Sequence, residues 1–182
     1  MTAPASSVAR SLRDLRLGVL LAFLGVLFGF GMGGVFGAFE EPLEAGLRED
    51  AEAVTATVYA GDTAKVKEVL DKSWAYYKRA HLHGGAMGAA ALAATLCIAL
   101  VGGGPRRMRW FAAVSMGAGA LGYPFYWLLA GARAPGLGST GAAKQSLEWL
   151  ALPTAGLALL GLVLALVSVA WGLYGSPRVP AS

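Results

Sequence analysis

Charge is missing from four long runs of this chain, and its absence limits the possible folds more than any other feature. No Asp, Glu, Lys or Arg occurs from Leu17 to Phe39, Ala80 to Pro105, Trp110 to Ala132 or Trp149 to Pro177, runs of 23, 26, 23 and 29 residues. A helix needs about 20 largely apolar residues to cross the hydrocarbon core of a bilayer. The runs predict an all-α membrane protein with four transmembrane helices, at 17–39, 81–103, 110–132 and 149–173. A soluble globular domain, a disordered chain and a disulfide-stapled mini-protein are excluded. The net charge of +4 comes from short loops and not from a basic face, which argues against nucleic acid as a partner.

Arg10, Arg13 and Arg16 precede the first run as they would in a secretory leader. The run is longer than a leader core, and it closes on Phe36, Gly37, Ala38 and Phe39, a poor cleavage site. It is expected to be a retained helix. Basic residues resist translocation and so set orientation. The tail at 1–16, the turn at 104–109 (Arg106, Arg107, Arg109) and the tail at 174–182 (Arg178) hold seven bases against one acid, Asp14. Both termini are therefore expected in the cytoplasm, with the 40–80 segment and the 133–148 loop outside. Trp149 and Trp171 bracket the fourth run 22 residues apart, roughly 33 Å of helix, as interfacial anchors would. The richness in Ala, Gly and Leu and the short loops associate the chain with a bacterial cytoplasmic membrane.

The 40–80 segment is patterned as an amphipathic helical hairpin. Pro42 suits a first helical turn, and Glu40, Glu41 and Glu44 suit the positive end of the helix macrodipole. Leu43, Leu47, Ala51, Val54 and Val58 recur at helical spacing. Gly61 suits a helix end and Asp62 a cap for the next helix, which carries Val66, Leu70, Tyr77 and His81 on one face and can continue into the second span. The acidic run of the first helix reads as a solvated face, or as a docking surface for a basic partner outside the membrane.

Inside a bilayer, small residues let helix backbones approach one another. Gly25, Gly29, Gly33 and Gly37 fall four apart along the first run and predict a packing stripe, against the same chain or a second copy. Pro124 predicts a kink in the third span. The surrounding Tyr123, Tyr126 and Trp127 read as interfacial anchors or as a lipid- or quinone-binding cleft. Cys97, the single cysteine, lies mid-span and reads as a small buried apolar residue.

The two histidines, His81 and His83, stand where the second run begins. Residues two apart on a helix diverge by about 200°, so they grip one copper or zinc ion only if the chain is locally extended. In a helix, His83 instead shares a face with Met87, and a haem can take one histidine as an axial ligand. Hydrogen bonding at the membrane interface accounts for the pair without a ligand. Phosphate-loop, metalloprotease and nucleophile-elbow motifs are absent, and the runs lack the ionisable carboxylates and amines of a proton path. The sequence thus predicts a noncatalytic membrane accessory or assembly protein, its partner another membrane protein or a second copy of itself. Metal or haem binding through His81, His83 and Met87, and lipid or quinone binding near Tyr123, Tyr126 and Trp127, stand as alternatives.

Overall fold

The computed structural model describes residues 7–175, so the outermost tails, Arg178 among them, lie outside the described residues. The described residues form six helices and no strand: α1 (Ser7–Asp14), α2 (Arg16–Glu52), α3 (Thr63–Val101), α4 (Arg106–Leu137), α5 (Thr140–Gln145) and α6 (Glu148–Tyr174). At 37 and 39 residues, α2 and α3 run about 55 Å and 58 Å, far more than the roughly 30 Å of a hydrocarbon core. The expected external hairpin is thus the continuation of the first two spans. α2 breaks at Phe39 (φ −137°, ψ 28°), three residues before Pro42. The proline ring lacks an N–H and crowds the carbonyl one turn back, at Ala38, which locates the break here. The kink expected at Pro124 does not divide its helix: α4 continues as one helix with Pro124 inside it.

α2, α3 and α6 are long and apolar enough to cross a membrane, three helices against the four spans expected. The exception is α4. It is 32 residues long, but Ala, Gly and Ser fill the positions where the other helices carry Leu, Val and Phe. Packing explains the difference: α4 lies against α2, α3 and α6, with Ala112, Ala113, Ser115, Met116, Gly117, Gly119 and Ala120 buried. A helix sheathed by its neighbours meets backbone on most sides, so small residues serve it better than lipid-facing ones. The outer helices expose large side chains instead, among them Phe23, Leu27 and Phe30 on α2 and Leu152, Leu159 and Leu166 on α6.

Close approach recurs at each helix pair. A Cβ on Gly88 of α3 would lie 2.6 Å from the Val26 nitrogen of α2, and one on Gly119 of α4 would lie 2.5 Å from the Ala158 nitrogen of α6. At the end of α3, the Gly103 N–H donates to the Ser168 carbonyl (2.8 Å) and the Ser168 hydroxyl donates to the Gly103 carbonyl (3.0 Å), fastening the α3–α4 turn to α6.

The opposite end is a small helical platform. Its core is Ala51, Tyr59, Val69, Ala134 and Ala143, drawn from α2, the α2–α3 connection, α3, α4 and α5. The connection turns through Ala60 (φ 51°) and Gly61 (φ 76°), and the Asp62 carboxylate accepts from the Lys65 N–H at 2.9 Å to cap α3. α5 and the last turn of α4, in the stretch expected to be a loop, complete the platform. α1 lies at the far end, where Leu12 and Leu15 pack into the bundle core and Arg106 donates to Asp14 at 2.6 Å.

Candidate functional site

α3 is helical across both histidines, so the extended geometry in which they share one ion does not occur. His81 faces α2. Its Nδ1 lies 2.7 Å from the Gly29 carbonyl oxygen, and because a carbonyl only accepts, Nδ1 carries the proton. Phe36 meets the ring edge-on at 5.9 Å, and a Cβ on Gly33 would come within 2.9 Å of it. His81 is thus level with Gly33, about 9 Å inside the end of the uncharged run of α2 at Phe39. It lies deeper than its place in the sequence suggests.

His83 faces α4. Its Nδ1 donates to the Arg79 carbonyl of its own helix at 2.8 Å, and its ring stands 5.5 Å from Tyr123 and 6.3 Å from Trp127. Met87, one turn on, lines an apolar gap of about 120 Å³ with Met116 and Leu162. The three candidate ligands therefore do not converge. Among the described residues, no three His, Cys, Asp or Glu side chains come together as a metal-binding group. Glu44 and Asp71 line a separate groove in the platform. Cys97 is exposed, not buried, on a stretch of α3 that also exposes Leu96, Leu100 and Val101.

Tyr123, Tyr126 and Trp127 come together, but they turn toward α3 rather than forming an outward belt. Trp127 lies 4.9 Å from both Tyr76 and Tyr126. The Arg79 guanidinium stacks 4.9 Å from the Trp127 ring and 5.5 Å from the Tyr76 ring, a cation held between two π faces. Trp127 Nε1 is buried without a hydrogen-bond partner. Tyr76 and Arg79 stand three apart on α3, with Arg79 one turn before His83, a spacing that sets them on the same side of the helix.

Of the glycine stripe, Gly29 meets the Gly84–Gly85 backbone, Gly25 lies near Ala120 and Gly88, and Gly33 meets His81. All three contacts are within the chain. Gly37 faces open space: each step of four residues turns the stripe by about 40°, which carries Gly37 about 120° round α2 from Gly25.

On the platform, a groove of about 570 Å³ runs between the extended arms of α2 and α3. Glu44, Arg48, Lys67 and Asp71 give it mixed charge, and Leu47 and Trp74 give it an apolar floor. No family model matches the chain, and no curated protein or solved structure shows significant similarity to it.

Proposed function

We propose that this chain is a noncatalytic membrane accessory or assembly protein: a four-helix bundle that holds a small helical platform outside the membrane for another membrane protein or a second copy of itself. The observation that carries this reading is the platform, with its own core and a mixed-charge groove over an apolar floor. His81 and His83 each donate Nδ1–H to a backbone carbonyl, of Gly29 and Arg79, as side chains that tie down a helix do.

α4 is the fourth span in this reading. It starts at Arg106 beside Asp14 and reaches Pro135, whose carbonyl accepts from Tyr59 in the platform. A helix joining those two ends of the bundle crosses whatever α2 and α3 cross. Arg13, Arg16, Arg106, Arg107 and Arg109 gather at one end, which supports cytoplasmic termini and a platform outside.

Photo-cross-linking in cells from Lys67 and Trp74 tests this, with Leu166 on the outer face of α6 as the control. A discrete protein adduct from the groove positions and none from Leu166 is the expected result. Stoichiometric metal or a Soret band in the purified protein, lost in His81→Ala/His83→Ala, would overturn it.

The buried, unpartnered Trp127 Nε1 favours a second reading, a lipid or quinone whose carbonyl accepts that N–H. Extraction of a stoichiometric lipid or quinone from the wild type, and none from Trp127→Phe, would support it over the first.

A further inference from the structure

At the end of the bundle opposite the platform, a cavity of about 700 Å³ opens between α1, the start of α2 and the start of α4. Arg13, Arg16, Arg106 and Arg107 line it, with Asp14 the only acid, so four positive charges against one negative leave +3. Arg106 is tied to Asp14 at 2.6 Å. Among the described residues, Arg13, Arg16 and Arg107 have no carboxylate partner. The start of α4 adds the positive end of a helix macrodipole, and Pro105 at its N-cap supplies no side-chain acceptor. Like charges held this close repel one another, and an anion among them relieves the repulsion.

The rest of the wall decides which anion. Leu17 and Trp110 begin two of the uncharged runs, and with Phe111 they form the apolar side of the same cavity. Leu17 is 43% exposed and Phe111 54%, continuous with the lipid-facing surface of the bundle. The cavity thus sets guanidiniums at the depth of headgroups and apolar side chains at the depth of the first acyl carbons. A soluble phosphate would satisfy only the charged half. We infer that this cavity binds the headgroup of an anionic glycerophospholipid, its phosphate held by Arg13, Arg16 and Arg107 and its acyl chain lying on Leu17 and Phe111. The ion pair between Arg106 and Asp14 positions the two basic segments side by side. The inference rests on the chain lying in a bilayer and not on the platform or its partner, so either reading can fail alone.

Native mass spectrometry of the full chain in detergent tests it, with dioleoyl phosphatidylglycerol and dioleoyl phosphatidylcholine as probes. The wild type should retain phosphatidylglycerol in preference. An arginine near an anionic lipid surface contributes roughly a fivefold gain in binding, so Arg13→Gln/Arg16→Gln/Arg107→Gln should lower the retention ratio by about tenfold or more. That variant keeps the Arg106 and Asp14 pair. Arg107→Gln alone should give a smaller loss in the same direction, and serves if the triple variant unfolds. Arg48→Gln/Lys67→Gln/Lys78→Gln removes equal charge from the other end and should leave the ratio unchanged. An unchanged ratio in the arginine variants, or an equal loss in the platform variant, would overturn the site. Displacement of phosphatidylglycerol by excess inorganic phosphate would overturn the lipid assignment in favour of a soluble anion.

Discussion

His81 Nδ1 donates to the Gly29 carbonyl oxygen at 2.7 Å, a side-chain hydrogen bond that joins α3 to α2 within the bundle. Gly33 makes it possible, because any larger residue there would strike the imidazole. Interhelical hydrogen bonds in membranes contribute about 0.6 kcal/mol on average and up to about 1.7. His81→Phe keeps a ring against Phe36 and loses the bond, so it should cost about 1 kcal/mol. His83→Phe loses a bond that only closes within its own helix, and should cost less. Thermal unfolding of both variants in one detergent checks the order; a larger loss for His83→Phe would show that the bond to Gly29 is not the stronger constraint.

The glycine stripe divides by the same geometry. Gly29→Ala places a methyl group in the Gly84–Gly85 backbone, which cannot yield without moving α3, and overpacking of this kind costs about 1–3 kcal/mol. Gly37→Ala meets nothing and gains helix propensity, so its stability should hold or rise by up to about 1 kcal/mol. Equal destabilisation at both positions in a denaturant series would mean that backbone approach at Gly29 is not what the stripe provides.

These contrasts also explain what could be read from the sequence. Three of the uncharged runs mark the long apolar helices α2, α3 and α6, the run at 110–132 falls in α4, and Pro42, Gly61 and Asp62 mark the break and turns because each acts through local backbone chemistry. The divergence of His81 and His83 follows from helical geometry alone. Partners are another matter: that His81 meets Gly29 depends on how far α3 slides along α2. α1 and α5, at 8 and 6 residues, are too short for periodicity to register. The end of α4, with Pro135, Gly136 and Gly138, resembles a loop, and it is helical because Ala134 packs into the platform core.

Tyr59 ties the platform to the bundle. Its hydroxyl is buried and donates to the Pro135 carbonyl at 2.7 Å. Tyr59→Phe should cost about 1 kcal/mol. Burial also raises the Tyr59 pKa above its ordinary 10.0, so between the two values the folded protein binds more protons than the unfolded one. The contribution of the hydroxyl is therefore fully present below pH 10.0 and is lost as the pH rises through the folded value. Unfolding measured from neutral to alkaline pH should give a constant advantage of wild type over Tyr59→Phe that shrinks only above that point. An advantage that shrinks near neutrality would assign it to another group.

Whether α4 crosses the membrane can be decided from its two ends. Arg107 lies at the arginine-rich end near Asp14, and Arg133 lies at the platform end, where it donates to the Ser146 hydroxyl at 3.2 Å. The two are 26 residues apart, about 39 Å along one helix, enough to cross the hydrocarbon core with both ends in water. In a Cys97→Ser background, Arg107→Cys and Arg133→Cys each place a thiol at one exposed end. A membrane-impermeant maleimide added to intact cells should label the cysteine at 133 and leave the one at 107 unlabelled until the membrane is opened. Labelling of both or neither from outside would return α4 to the aqueous side and break the four-span bundle. The reverse pattern would keep the span and invert the orientation, moving the platform into the cytoplasm.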